Sequence, residues 1–140
     1  MTPETAKLVQ HSFQRLIAAR RLTGEDFIVR LLDAAPRAAS HIPAGAADER
    51  RRLMAVLAFT IEALDDFEVM RPALRVAGAR YRDLGVGPVE YAQFGAALMR
   101  TLEAEFGRAW TLELRAAWSE AYSAITSTMQ TVQEDALTAA

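Results

Sequence analysis

The chain contains no cysteine and only two histidines, His11 and His41, among its 140 residues. The absence of cysteine excludes disulfides, thiolate metal sites and cysteine nucleophiles. Two histidines are too few for a multi-histidine metal cluster. No apolar run approaches ~18 residues, so we expect no transmembrane span. The N-terminal segment MTPETAKLVQHSF lacks the apolar core of a signal peptide, and we therefore expect a bacterial-type cytoplasmic protein.

Charge of either sign is not in excess. The net charge is −2, and charged residues make up 24% of the chain. A balanced surface offers no electrostatic attraction for nucleic acid or for an anionic membrane, so we expect neither as a partner. A hydrophobic fraction of 51% is typical of a globular chain, and the length predicts one domain, 1–140. Phosphate-binding glycine motifs are missing, and neither histidine has a serine and carboxylate arranged around it, so no dedicated catalytic site is predicted.

Alternating strand patterns are also missing, whereas apolar residues recur at helical spacing along the whole chain. We therefore predict an all-α fold with about six main helices and a short helical turn at PRAAS. Tyr81 shares one helix face with Leu74, Ala77 and Gly78, which is the face that turns inward. The predicted helices begin at Thr2, near Gly24, after Asp48, after a break at Asp65–Phe67, at Pro88 and near Thr111, with a loop over 41–47 and a fraying tail over 132–140.

Three segments occur in an order that resembles the globin family. DERRRLMAVLAFTIEALDD resembles the helix that covers the distal side of haem. PALRVAGARYRDLGVGPVEYAQFG resembles the proximal helix and the start of the next one, and LRAAWSEAYSAI resembles the final helix of bacterial single-domain haemoglobins and of the flavohaemoglobin globin domain. The resemblance implies a globin-like fold and a haem cofactor.

Several positions depart from the family pattern. Where globins have R-H-x-x-x-G-V around the proximal histidine, this chain has RYRDLGV, so Tyr81 stands at the iron-ligand position. Ile42 matches the phenylalanine that stacks on haem, and Glu49 matches the distal glutamine or histidine. Ile28 stands where the family places a tyrosine in its second helix.

Other positions keep the family pattern. The resemblance assigns Leu53 and Leu57 to the distal wall and Tyr91 to the proximal side, with Trp118 and Tyr122 in the last helix. Arg52 would lie near a propionate.

The first hypothesis is therefore a globin-type protein whose ferric haem is held by the Tyr81 phenolate, because an anionic oxygen ligand favours ferric iron. Its roles would be ligand sensing, haem handling or weak peroxide chemistry, with a diatomic ligand and a separate reductase as partners. The sequence identifies no group that would stabilise the phenolate, since Arg80 and Arg82 adjoin Tyr81 without sharing its helix face.

The alternative hypothesis is a haem-free globin scaffold. Loss of both the histidine and the stacking phenylalanine would weaken haem retention. The chain would then be a sensory or interaction module that binds a fatty acid or another apolar ligand. A homodimer through the last two helices is compatible with either hypothesis.

Overall fold

Helices account for every regular element in the part of the chain that the structure describes. The structure is a computed structural model that describes residues 1–19, 24–41 and 47–139, with side chains described for 1–19, 27–41 and 48–131. Its helices are α1 (Pro3–Ala18), α2 (Gly24–Ala34), α3 (Pro36–Ala39), α4 (Ala47–Glu62), α5 (Phe67–Asp83), α6 (Pro88–Phe106) and α7 (Leu112–Ala139), with a 3-10 turn at Gly107–Ala109 between the last two. The predicted all-α class is confirmed.

Local sequence signals explain most of the helix ends. Thr2 caps α1 by accepting a hydrogen bond from the Thr5 backbone N–H at 3.2 Å, and Pro3 follows in the first turn. Proline likewise occupies the first position of α3 and of α6. Gly107 ends α6 with a positive φ of 56°, a conformation that glycine adopts without a steric penalty.

Three details differ from the predicted helices. The tail was predicted to fray, but α7 continues to Ala139 because no proline or glycine interrupts the chain after Gly107. Asp48 lies in the first turn of α4, which begins one residue earlier, at Ala47. The helical spacing of the apolar residues in α1 predicts that Ile17 faces inward, whereas its side chain is 40% exposed. Residues 20–23 and 42–46 lie outside the described residues, and the second range contains most of the loop predicted over 41–47.

The helices pack around one shared core. Helix α5 packs mainly on α7, α1 packs on α7 and α4, and α2 lies against α4 and α6. The inward face predicted for α5 is confirmed, since Leu74, Ala77, Gly78 and Tyr81 are all buried. This packing brings the last turn of α5 beside the first turns of α4 and α6, where the candidate site lies.

A buried hydrogen-bond chain joins α1 to α7. The indole N–H of Trp118 donates to the Ser12 hydroxyl at 2.9 Å, and that hydroxyl donates to the Val9 carbonyl at 2.9 Å. Ser12 is 0% exposed and Trp118 is 2% exposed, so water cannot replace either partner. Ser12 therefore supplies the hydrogen-bond acceptor that the buried indole N–H of Trp118 needs.

We predict that Ser12→Ala lowers the free energy of unfolding by about 2 kcal/mol, because it leaves the buried Trp118 N–H without an acceptor. Urea denaturation monitored by circular dichroism measures the change. Ser123→Ala is the matched control, since Ser123 is exposed on α7 and should be close to neutral. Equal effects of the two substitutions would contradict the assignment.

Candidate functional site

An apolar cavity of about 120 Å³ lies at the centre of the fold. Its wall comes mainly from α2, α4, α6 and α7, and it extends as far as Val9 of α1 and Trp118 of α7. Thr60 and Thr126 also line it, but their hydroxyls donate to carbonyls of their own helices at 2.5 Å and 3.0 Å. The remaining polar groups of the wall are contributed by Tyr81, Glu90, Tyr91 and Tyr122.

The structure brings five of the eight predicted site residues into this wall: Ile28, Leu53, Leu57, Tyr81 and Tyr91. Glu49 and Arg52 do not line the cavity and instead take part in an ion-pair cluster beside it. Ile42 lies outside the described residues.

Tyr81 is positioned by the way α5 ends. Gly85 has a positive φ of 91°. The Val86 N–H donates to the Tyr81 carbonyl and the Gly85 N–H to the Arg82 carbonyl, both at 2.9 Å. These bonds form a Schellman motif, in which the left-handed residue is usually glycine. The LGV sequence therefore fixes the last turn of α5 with Tyr81 directed to the cavity.

The surroundings of Tyr81 keep its phenol protonated. Burial raises the pKa of Tyr81 to about 12, and the nearby Glu49 carboxylate acts in the same direction. The Arg80 and Arg52 charges oppose the rise but do not reverse it. A cation near this phenol was not predictable from the sequence, because the sequence does not show how α4 and α5 approach each other.

Glu49, Arg52 and Arg80 form the ion-pair cluster at this end of the cavity, hereafter the α4–α5 clasp. Arg52 Nη1 lies 3.0 Å from Glu49 Oε1, and Arg80 Nη2 contacts the same oxygen. The Glu49 side chain is only 13% exposed, so this contact is stronger than an ordinary surface ion pair. The clasp ties the first turn of α4 to the last turn of α5.

Two tyrosines of α6 and α7 complete the same neighbourhood. The Tyr122 hydroxyl donates to the Tyr91 carbonyl at 2.5 Å. Gly95 allows this approach, since a Cβ there would lie 2.6 Å from the Tyr122 ring. The Tyr91 hydroxyl is buried and has no hydrogen-bond partner. Burial raises the pKa of Tyr91 to about 12, and the Tyr81 phenol acts in the same direction once it is ionised.

A further contact at the α5–α6 corner was missed by the sequence. His41 Nε2 lies 3.5 Å from Glu90 Oε1, and Glu90 lines the cavity. A Cβ at Gly85 would be 3.1 Å from His41 Nδ1, so the imidazole lies directly against the turn after α5. Neither the spacing nor the composition of the chain could have signalled this pair, because His41 and Glu90 are far apart in sequence.

The described residues contain neither a metal-binding cluster nor a membrane-spanning helix. No three His, Cys, Asp or Glu side chains gather closely enough to hold a metal ion. No helix of the described chain is both long and apolar enough to span a bilayer.

Comparison with known proteins links this arrangement to one family. The family model described as Globin matches residues 43–129. The chain is 31% identical to neuroglobin of Tetraodon nigroviridis over 78 residues. The matched segment covers 56% of this chain and 49% of that protein. Neuroglobin of Danio rerio gives the same figures, and neuroglobin-2 of Oncorhynchus mykiss is 27% identical over 82 residues, covering 59% and 52%. The chain thus spans about half the length of the curated relatives it matches, and the resemblance to bacterial haemoglobins and flavohaemoglobins stays a prediction.

Proposed function

The chain belongs to the globin family, whose members usually bind haem, and we propose that this member admits a small apolar molecule to its cavity in place of haem. The observation that carries the proposal is the small apolar cavity that Tyr81 lines and that the α4–α5 clasp borders.

Haem does not fit the cavity in the shape that the structure has. The cavity encloses about 120 Å³, which is close to the roughly 150 Å³ of an engineered core cavity that accepts one benzene molecule. An iron porphyrin is several times larger than benzene. Globins hold haem between the helices that correspond here to α4 and α5, and Glu49 joins these helices directly through Arg80.

The chemistry of Tyr81 points the same way. A phenol must lose its proton to become an iron ligand. Burial and the Glu49 carboxylate both favour the protonated form of Tyr81, whose pKa is raised to about 12. No described histidine lines the cavity, so the wall holds no imidazole that could take its place.

The cavity wall suits an apolar molecule. Ile28 is fully buried, and Leu98 is 4% exposed. Both line the cavity, and cavities with such walls stay dry and bind apolar molecules of matching size. A ligand that fills this space would stabilise the folded state by RT ln(1 + L/Kd), where L is the free ligand concentration. The stabilisation would therefore grow with the logarithm of the ligand concentration once that exceeds the dissociation constant.

Ferric haem held by Tyr81 is the second candidate, and a specific observation favours it. The phenol of Tyr81 lines the cavity at the family's ligand position, and the charges of Arg52 and Arg80 act on it. This candidate requires the α4–α5 clasp to open and the cavity to widen. The reductase, the diatomic ligand and the weak peroxide chemistry predicted from the sequence belong to this candidate alone.

Two titrations of the purified full chain separate the candidates. Hemin is added while the visible spectrum is recorded, and toluene or 1-hexanol is added while the melting temperature is measured. We expect the apolar molecules to raise the melting temperature saturably and hemin to give no axial-ligand band. Leu53→Trp and Leu57→Trp, each at a partly exposed position of the wall, should abolish the rise by filling the cavity.

The contrary result is also specific. A high-spin ferric spectrum with a charge-transfer band that disappears in Tyr81→Phe would establish the second candidate. In that case the proposal of an apolar ligand in place of haem is wrong.

A further inference from the structure

Two buried hydrogen-bond donors near Tyr81 have no acceptor. They are the Tyr91 hydroxyl and the Arg80 Nε–H. Tyr91 is 7% exposed and lines the cavity. Buried donors without partners are uncommon because each loses the hydrogen bonds that water would supply. The pair therefore indicates that an acceptor belongs at this end of the cavity.

The two donors lie in one neighbourhood, which also carries positive charge. Tyr81 and Tyr91 both line the cavity, and Arg80, the residue before Tyr81 in α5, meets Arg52 at the Glu49 carboxylate. Glu90 also lines the cavity, and its carboxylate lies 3.5 Å from His41 Nε2. The rest of the wall is apolar, apart from hydroxyls and an indole N–H that donate to other protein groups. The site thus combines an apolar interior with an unpartnered phenol in its wall, and the guanidinium groups of the α4–α5 clasp lie beside this wall.

We propose that the ligand of the cavity is a medium-chain monocarboxylate, with its alkyl chain inside and its carboxylate accepting hydrogen bonds from Tyr91 and Arg80. The inference rests on the proposed function and specifies the class of ligand. An arginine guanidinium favours a carboxylate because it offers paired donors in a matching planar geometry. A cavity of about 120 Å³ holds roughly as many carbons as benzene has, so octanoate leaves its head group outside the apolar part.

The Glu49 carboxylate would compete with such a ligand for Arg80 and Arg52. It now occupies both of these guanidinium groups. A bound carboxylate would share these cations with Glu49 or take its place. Removing the Glu49 charge should therefore strengthen carboxylate binding, an effect opposite in sign to that of general damage to the fold.

Isothermal titration calorimetry on the full chain tests the inference with octanoate, 1-octanol and butyrate. We expect octanoate to bind about tenfold more tightly than 1-octanol, as a charge-assisted hydrogen bond would produce. Butyrate should bind far more weakly than octanoate because its chain fills little of the cavity.

Substitutions of single residues test which side chains bind the carboxylate of octanoate. Arg80→Gln should weaken octanoate about tenfold and leave 1-octanol within about twofold. Tyr91→Phe should weaken octanoate about fivefold, and Glu49→Gln should strengthen it. Arg108→Gln is the control, since Arg108 lies exposed in the 3-10 turn and should leave both affinities unchanged.

The outcomes distinguish this inference from the function on which it rests. Equal binding of octanoate and 1-octanol, with no change in Arg80→Gln, would overturn the carboxylate assignment while the apolar-ligand function stands. If neither compound binds and hemin gives an axial-ligand band that is lost in Tyr81→Phe, both proposals fail together.

Discussion

Gly78→Ala is expected to lower the free energy of unfolding by about 3 kcal/mol. Gly78 lies where α5 crosses α7, and a Cβ built there would overlap the Met129 carbonyl oxygen and lie 2.9 Å from Met129 Cα. Both contacts are with backbone, so no side-chain rotation relieves them. At an exposed helical site the same change would instead stabilise the protein by about 1 kcal/mol, because alanine is the better helix former. Urea denaturation measures the difference.

Gly87→Ala is the control for this substitution. Gly87 precedes α6 with extended backbone, and a Cβ there would meet nothing within 4 Å. Its loss should stay below about 1 kcal/mol, the usual cost of placing alanine at a helix N-cap. If Gly78→Ala proves as mild as Gly87→Ala, the close crossing of α5 and α7 is wrong.

Helical periodicity was sufficient to predict the fold class and the inward face of α5. Leu74, Ala77, Gly78 and Tyr81 recur at the spacing of one helix face, and their burial requires only that α5 has a neighbour. The sequence could not identify α7 as that neighbour. The predicted α7 was also too short, because no proline or glycine in the alanine-rich tail marks where the helix ends.

The sequence could predict only those parts of the candidate site whose residues lie on one helix. Leu53 and Leu57 lie one turn apart on the inner side of α4, so their shared place in the wall follows from spacing. Glu49 lies on the same helix, but its contact with Arg80 depends on the distance between α4 and α5. The family resemblance put Glu49 at the position of the distal glutamine or histidine, and the structure places it in an interhelical ion pair.

The polar groups near the Tyr81 phenol could not be predicted for the same reason. Arg80 was not expected to act on Tyr81, because neighbouring residues point to different faces of a helix. A charge nevertheless acts over several ångströms in a buried setting, and Arg80 does influence Tyr81. The unpartnered Tyr91 hydroxyl could not be foreseen, since burial without a partner is a property of the assembled core.

The stability of the protein is expected to fall steeply between pH 10 and pH 12. Its three tyrosines are Tyr81, Tyr91 and Tyr122, and its only lysine is Lys7, so tyrosines dominate titration in this range. Burial raises the pKa of Tyr81 and of Tyr91 to about 12, and it raises the pKa of Tyr122 further still. An unfolded chain releases these protons near pH 10.

The sign follows from proton linkage. Above pH 10 the folded state holds protons that the unfolded state has lost, so raising the pH favours unfolding. Tyr81 and Tyr91 each contribute stability that is present below pH 10 and is lost as pH approaches 12, roughly 2 kcal/mol apiece. Their phenols should therefore ionise together, in the same step in which the helices unfold.

Tyrosinate absorbance and far-ultraviolet circular dichroism, followed together during an alkaline titration, test this expectation. The two signals should change in one cooperative step, and the same chain in concentrated denaturant should titrate near pH 10. Because every tyrosine of the chain lines the cavity, a ligand that fills it should shift the step to higher pH. Ionisation near pH 10 with the helical signal intact would mean that these phenols are open to water, and their burial in the cavity wall would then be wrong.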